Sequence, residues 1–134
     1  MKNLKEIEGI GAAYAGKMES AGVNSVEALL EKGASPKGRK ELAEKSGITE
    51  KLILRWVNMA DLFRIKGVGE EYADLLEAGG VDTVPELAQR NAENLQKKLA
   101  EVNDEKKLTR RVPSMAEVTK WVNEAKQLPR KVTY

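Results

Sequence analysis

A chain of 134 residues, 41% hydrophobic but only 4% aromatic, can build one domain or two small ones around an aliphatic core. It has no cysteine and no histidine, which excludes disulfides, thiolate metal sites and the commonest general base. The net charge of +2 hides an asymmetry: residues 1–60 carry 10 basic and 8 acidic groups, residues 61–93 carry 3 and 8, and residues 94–134 carry 10 and 5. A uniformly basic surface is thereby excluded, and a polyanion is expected to meet the two ends of the chain rather than its middle. No apolar run approaches a membrane span, and Met1-Lys2-Asn3-Leu4 does not read as a signal peptide, so a cytoplasmic setting is expected.

In chain order, Asn3 is placed to cap a first turn ending at Ile7. The turn Glu8–Gly11 follows, then a helix over about Ala12–Ala21 that Gly22 ends in the left-handed region. Ser25 caps a helix over Val26–Lys32, and Ser35-Pro36 opens another through Lys45. Gly47-Ile48-Thr49 makes a second tight turn. Beyond it Leu52, Ile53, Trp56, Val57, Ala60 and Phe63 share one face of a helix predicted from Glu50 to about Ile65. That stretch contains no glycine or proline, so the helix is expected to run on into the second half of the chain, spanning roughly 24 Å and fixing the separation of the two halves.

The second half repeats the first. Shifting by 58 residues aligns residues 7–30 with 65–88, and ten of those 24 positions are identical. Leu42-Ala43-Glu44 then answers Leu99-Ala100-Glu101, and Trp56-Val57-Asn58 answers Trp121-Val122-Asn123. Thr83 with Glu86 and Ser114 with Glu117 read as capping boxes. Met115, Val118, Trp121, Val122, Ala125 and Leu128 form the buried stripe of a last helix. Val102-Asn103-Asp104 stands where unit one has its Gly47 turn, followed by an insertion over about residues 105–112. The predicted domains are therefore 1–61 and 62–134, all-α throughout, since no alternating run signals a strand.

Two segments carry the chemistry. Gly9-Ile10-Gly11-Ala12-Ala13 and Gly67-Val68-Gly69 each bracket an aliphatic residue between glycines at the start of a helix, where backbone N–H groups lack partners and attract anions. Tyr14 and Tyr72 are expected to pack on their hairpins with wet hydroxyls, and Trp56 and Trp121 to be core. Asn58 and Asn123 are expected to tie a helix to a neighbouring loop.

The segments Ile7–Ala15 and Ile65–Ala73, with the Gly22-Val23 and Gly80-Val81 that follow, resemble the helix-hairpin-helix motif. Gly47-Ile48-Thr49 is similar to a second, degenerate hairpin. The resemblance covers nearly the whole chain and is closest to an uncharacterised bacterial family carrying two paired helix-hairpin-helix units. It implies two tandem five-helix (SAM-like) units joined by a continuous helix, and sequence-independent DNA binding in which hairpin amides grip phosphate oxygens. In that family a Lys or Arg after the second glycine reinforces the grip. Here that place falls at Ala13 and at Glu71. Lys17 lies one turn beyond Ala13, whereas Glu70 and Glu71 oppose a phosphate.

The expected contacts are thus Gly9, Ile10, Gly11, Ala12, Ala13 and Lys17, the turn Gly47, Ile48 and Thr49 with Lys51, and the inserted Lys106, Lys107, Arg110 and Arg111. Lys97, Lys98, Arg130 and Lys131 lie near enough along the chain to add charge. Lys66, Gly67, Val68 and Gly69 form a weaker hairpin. The expected activity is non-catalytic binding of duplex or single-stranded DNA. The alternative is a protein-interaction or scaffold module that has lost the phosphate grip. No enzyme activity, metal, cofactor or membrane partner is expected.

Overall fold

The computed structural model describes residues 2–134, Met1 lying outside them, and the described chain forms helices and turns without a strand. No helix among the described residues is long and apolar enough to cross a membrane. Contacts divide the chain into two compact units: Met1–Asp61 with Lys131–Tyr134, and Leu62–Arg130.

Unit 1 starts with a single 3₁₀ turn, Leu4–Glu6, closed at both ends by side chains. Asn3 Oδ1 accepts the Lys5 N–H at 2.8 Å while the Glu6 carboxylate accepts the Asn3 N–H at 2.8 Å. Gly9 then takes φ +95°, which reverses the chain into α1 (Ala12–Ser20). That helix ends in a Schellman motif: Val23 N–H reaches Met18 O at 2.9 Å, Gly22 N–H reaches Glu19 O at 3.0 Å, and Gly22 sits at φ +90°. Both Met18 and Val23 are buried, supplying the apolar contact that accompanies the motif. Lys32 donates to Gly22 O at 2.8 Å and satisfies a further terminal carbonyl.

The hydroxyl of Ser25 caps α2 (Val26–Gly33) and that of Ser35 caps α3 (Pro36–Ser46), each accepting an N–H at 3.1 Å. Gly47 closes α3 at φ +74°. Two glycines allow these helices to approach. A β-carbon at Gly38 would stand 2.0 Å from the Lys32 carbonyl oxygen, and one at Gly33 would stand 2.5 Å from Val57 Cγ2. The helix α4 (Glu50–Leu62) covers this assembly with Ile53, Trp56, Val57 and Ala60, all buried.

The last four residues return to unit 1, whereas the sequence had grouped residues 131–134 with the second half. Val132 is buried there. Thr133 N–H donates to Ala34 O at 2.8 Å, and Arg39 Nη2 donates to Thr133 O at 2.7 Å. The hydroxyl of Tyr134 donates to Asn58 Oδ1 at 3.1 Å, so Asn58 ties its helix to the chain's tail. Its repeat counterpart Asn123 is exposed and has no such tie.

Unit 2 repeats these devices. Ile65 N–H bonds Leu62 O at 3.1 Å, the same turn that Ile7 N–H makes with Leu4 O at 3.1 Å. This turn stops α4 at Leu62, three residues short of the Ile65 expected from its apolar stripe, because the first turn of the second repeat claims those residues. Gly67 takes φ +92° and opens α5 (Glu70–Ala78), which ends in a second Schellman motif at Gly80 and Val81. Thr83 caps the short α6 (Val84–Ala88).

The longest departure lies in α7 (Ala92–Lys106), which has 15 residues where α3 has 11. Val102, Asn103 and Asp104 are helical and do not replace the Gly47 turn. Lys107, at φ +54°, takes that role one helical turn later. Insertion thus begins inside the helix, and the loop proper follows Lys107. A full capping box at Ser114 and Glu117 then starts α8 (Met115–Gln127), whose Val118, Trp121, Val122 and Ala125 are buried.

Replacing Gly38 by alanine drives a methyl group into the Lys32 carbonyl, and a loss of about 1–3 kcal/mol is expected. Urea unfolding followed by tryptophan fluorescence in a Trp121→Phe background, which leaves Trp56 as the reporter, measures it. A midpoint equal to that of the parent protein would contradict the close α2–α3 approach.

Candidate functional site

The sequence-predicted contacts fall into both units. Gly9–Ala13, Lys17, Gly47–Thr49 and Lys51 belong to unit 1, and Lys66–Gly69 with Lys106, Lys107, Arg110 and Arg111 belong to unit 2.

At the first hairpin, Ile10 is buried as a wedge while Gly9, Gly11, Ala12 and Ala13 are exposed. Gly11 is the N-cap of α1 and supplies no side-chain acceptor. The first-turn N–H groups of Ala12, Ala13 and Tyr14 therefore have no hydrogen-bond partner among the described residues. The two glycines serve different ends. Gly9 needs its positive φ, but Gly11 has φ −91° and ψ −171°, and a β-carbon there would meet nothing within 4 Å. Neither backbone strain nor internal packing requires glycine at position 11. What its missing side chain provides is a clear approach to the amides of α1. Tyr14 packs edge-on against Trp56 with centroids 5.0 Å apart, and exposed Lys17 holds its ammonium 5.8 Å from the Tyr14 ring.

The Gly47 turn is better satisfied. Ile48 is buried and its N–H donates to Ser46 Oγ at 3.2 Å. Thr49 Oγ1 accepts the Leu52 N–H at 3.3 Å, which caps α4. Exposed Lys51 follows in that first turn.

The unit 2 hairpin keeps the backbone of the first and changes its charge. Gly69 has φ −106° and ψ −163°, supplies no side-chain cap, and would also give a β-carbon open space. Val68 is buried as Ile10 is. Glu70 and Glu71, however, occupy the first turn of α5 with Glu71 exposed, and they complement the helix dipole that an anion would otherwise meet. The Lys66 N–H is taken by the Glu124 carboxylate at 3.2 Å. Tyr72 lies 5.1 Å from Trp121, the counterpart of the Tyr14–Trp56 pair.

The inserted basic residues are exposed but unequally available. Arg111 forms a two-pronged bond to Glu117 at 2.7 and 3.0 Å. Lys107 lies 3.8 Å from Asp104. Lys106 and Arg110 make no ion pair among the described residues. The loop is held by a residue that the sequence reading had placed in a turn rather than in a helix. Buried Asn103 accepts the Thr109 N–H at 2.9 Å and donates to Thr109 O at 3.2 Å, while Gln96 donates to Pro113 O at 3.2 Å. An asparagine next to a buried valine near the end of a helix was the available signal. Arg39 was missed as well: it is 6% exposed, and burial pushes its guanidinium below the ordinary value. Its partner in the tail lies 94 residues away, beyond any local pattern.

A sequence profile described as a domain of unknown function, DUF4332, matches residues 8–128. The chain belongs to that family. Comparison with curated proteins and with solved structures gives no match. The span of the DUF4332 match takes in both hairpins, the inserted loop and α8 but stops before the tail that returns to unit 1.

The Arg111–Glu117 clamp makes stability depend on acid. Hydrogen bonding by Arg111, then by the Ser114 N–H, lowers the Glu117 carboxyl from 4.5 to about 2. Because the folded value is the lower one, the contribution is present above about pH 4.5 and is lost as pH falls towards 2. Glu117→Gln is expected to flatten that part of the curve. Urea midpoints recorded between pH 6 and pH 2 (approximate working limits) decide it, and an unchanged slope in the variant would refute the clamp.

Proposed function

We propose that this DUF4332 protein is a non-catalytic, sequence-independent nucleic-acid binder of helix-hairpin-helix type, gripping the phosphate backbone with the amides at the start of α1. The observation that carries this reading is the start of α1: N–H groups of Ala12, Ala13 and Tyr14 with no partner among the described residues, beside a Gly11 that neither strain nor packing requires. Lys17 and Lys51 supply positive charge in the same unit, and Lys106 and Arg110 are the inserted cations left over for a phosphate. In this reading two hairpin-bearing units stand in tandem, the first as the phosphate grip and the second weakened by its own carboxylates.

A protein-interaction role is favoured by two observations in unit 2. Glu70 and Glu71 lie where a phosphate would bind, and Arg111 is committed to Glu117. A basic partner would suit that hairpin.

Titration of a labelled duplex at low salt separates the two. Binding is expected to fall as salt rises, with a log–log slope of roughly −0.9 for each phosphate contacted. Ala12→Glu with Ala13→Glu is expected to weaken binding by about tenfold or more while leaving thermal stability equal or higher, since acidic groups suit a helix start. Glu71→Lys should strengthen it, and charge reversal at Lys106 and Arg110 should weaken it. No complex with duplex or single strand at low salt would sink the nucleic-acid reading, and a stoichiometric protein partner in its place would establish the other.

A further inference from the structure

The chain passes from unit 1 to unit 2 between Asp61 and Leu62 and returns between Arg130 and Lys131. On the unit 2 side it is held as far as Pro129, whose carbonyl accepts from Arg64 Nη2 at 2.6 Å. On the unit 1 side it is held from Val132 onward. That side chain is buried, the Thr133 N–H donates to Ala34 O, Arg39 Nη2 donates to Thr133 O, and the Tyr134 hydroxyl donates to Asn58 Oδ1. Between the two anchors, Arg130 and Lys131 are exposed and make no hydrogen bond or ion pair among the described residues.

Unit 2 meets the same need from within itself. With Leu42 aligned on Leu99, Arg39 matches Gln96. Gln96 Nε2 donates to Pro113 O at 3.2 Å, and Pro113 is buried. Each unit thus has a non-helical segment bonded to the side chain at this place. In unit 2 it is the inserted loop, rooted in α7 and α8. Unit 1 has only three residues between α3 and α4, and takes residues 131–134 instead. That segment is rooted in none of the helices it covers.

Its departure would strand little. One apolar side chain leaves its place and a few hydrogen bonds are exchanged for water, while the segment regains its conformational freedom. Arg39 keeps its bonds to Gly33 O and Ala34 O and still faces Glu50, which lines the same groove. The caps of α2, α3 and α4 come from Ser25, Ser35 and Thr49, not from this segment. A segment with so few buried contacts opens at lower cost than the unit it covers.

We propose that residues 131–134 are a releasable strap on unit 1, hinged at Arg130 and Lys131, which unlatches from Arg39 and Asn58 while the helices of both units stay folded. Opening uncovers a seat for a peptide main chain, with Arg39 as donor and Ala34 O as acceptor. The inference does not depend on what the amides of α1 bind.

The test exploits a chain without cysteine, in which one introduced thiol reports only on its own place. Val132→Cys puts it under the strap, and Val57→Cys puts it in the core of the same unit. Both are exposed to an excess of an aromatic disulfide reagent in native buffer and in low urea. The thiol at position 132 is expected to react at least about tenfold faster than the one at 57, with a weaker dependence on urea. Adding Tyr134→Phe, which removes the bond to Asn58, should speed position 132 by roughly fivefold and leave position 57 within about twofold.

Equal rates with equal urea dependence would mean that the segment leaves only when the unit unfolds, and would overturn the proposal. Reaction at position 132 as fast as in a free peptide would mean that the segment is not seated, and would overturn it too. Trypsin acting on the parent chain gives a second reading that needs no variant. A first cut after Arg130 or Lys131, with the rest of the chain intact, is expected. First cuts inside either unit, with residues 131–134 still attached, would count against the strap.

Discussion

Each unit is organised around a glycine in the left-handed region seated over a tryptophan. A β-carbon at Gly9 would lie 3.5 Å from Trp56 Nε1, and one at Gly67 would lie 3.4 Å from Trp121 Nε1. The positive φ turns the chain, the following Ile10 or Val68 goes inward as a wedge, and the tyrosine of the next helix packs against the indole, edge-on for Tyr14 and tilted for Tyr72. The tryptophan comes from the last helix of the unit, so a contact spanning nearly the whole repeat fixes the start of its second helix. This long-range closure determines which amides face outward. A buried aliphatic residue between two exposed glycines leaves the helix start projecting from the surface, with no neighbouring side chain to cap it.

The same closure explains why so much of the structure was legible in the sequence. The helix starts at Ser25, Ser35 and Ser114 were marked by side chains that act within three residues, and the stops at Gly22 and Gly80 by a backbone conformation that favours glycine. What misled was of two kinds. The apolar stripe of α4 carried the predicted helix to Ile65, because helical periodicity does not register that Leu62–Ile65 is already the first turn of the next repeat. Around residues 102–104, alignment with Gly47 suggested a turn, yet α7 continues through a buried Asn103 whose side chain does the turn's work from inside the helix. No glycine was needed there, so no glycine marked the true end at Lys107.

Around the candidate site, the two Gly-x-Gly turns before α1 and α5 were legible, and the pairing of the nearby charges was not. Sequence alone counts Lys106, Lys107, Arg110 and Arg111 as four equivalent cations. The structure ranks them, since a guanidinium bonded through two nitrogens to Glu117 must give up that bond before it serves a phosphate, whereas an unpaired lysine need not. The two hairpins differ in the same way. Their backbones match within a few degrees at Gly9 and Gly67, but the acidic first turn of α5 uses the field that α1 leaves available.

The tail is where unit 1 and unit 2 differ most in how they are closed. Duplication predicts that each unit should close itself, and unit 2 does so with its own α8. Unit 1 instead recruits Lys131–Tyr134 from the far end of the chain, burying Val132 and engaging Arg39 at the junction of α2 and α3. The backbone of the tail is fixed by hydrogen bonds with Ala34 and Arg39, and the Tyr134 hydroxyl is tied to Asn58. The repeat therefore supplies a common scaffold, and unit 1 departs from it in the neutral Ala12-Ala13 that stand in place of Glu70-Glu71, in the buried Arg39 and in the tail that Arg39 holds.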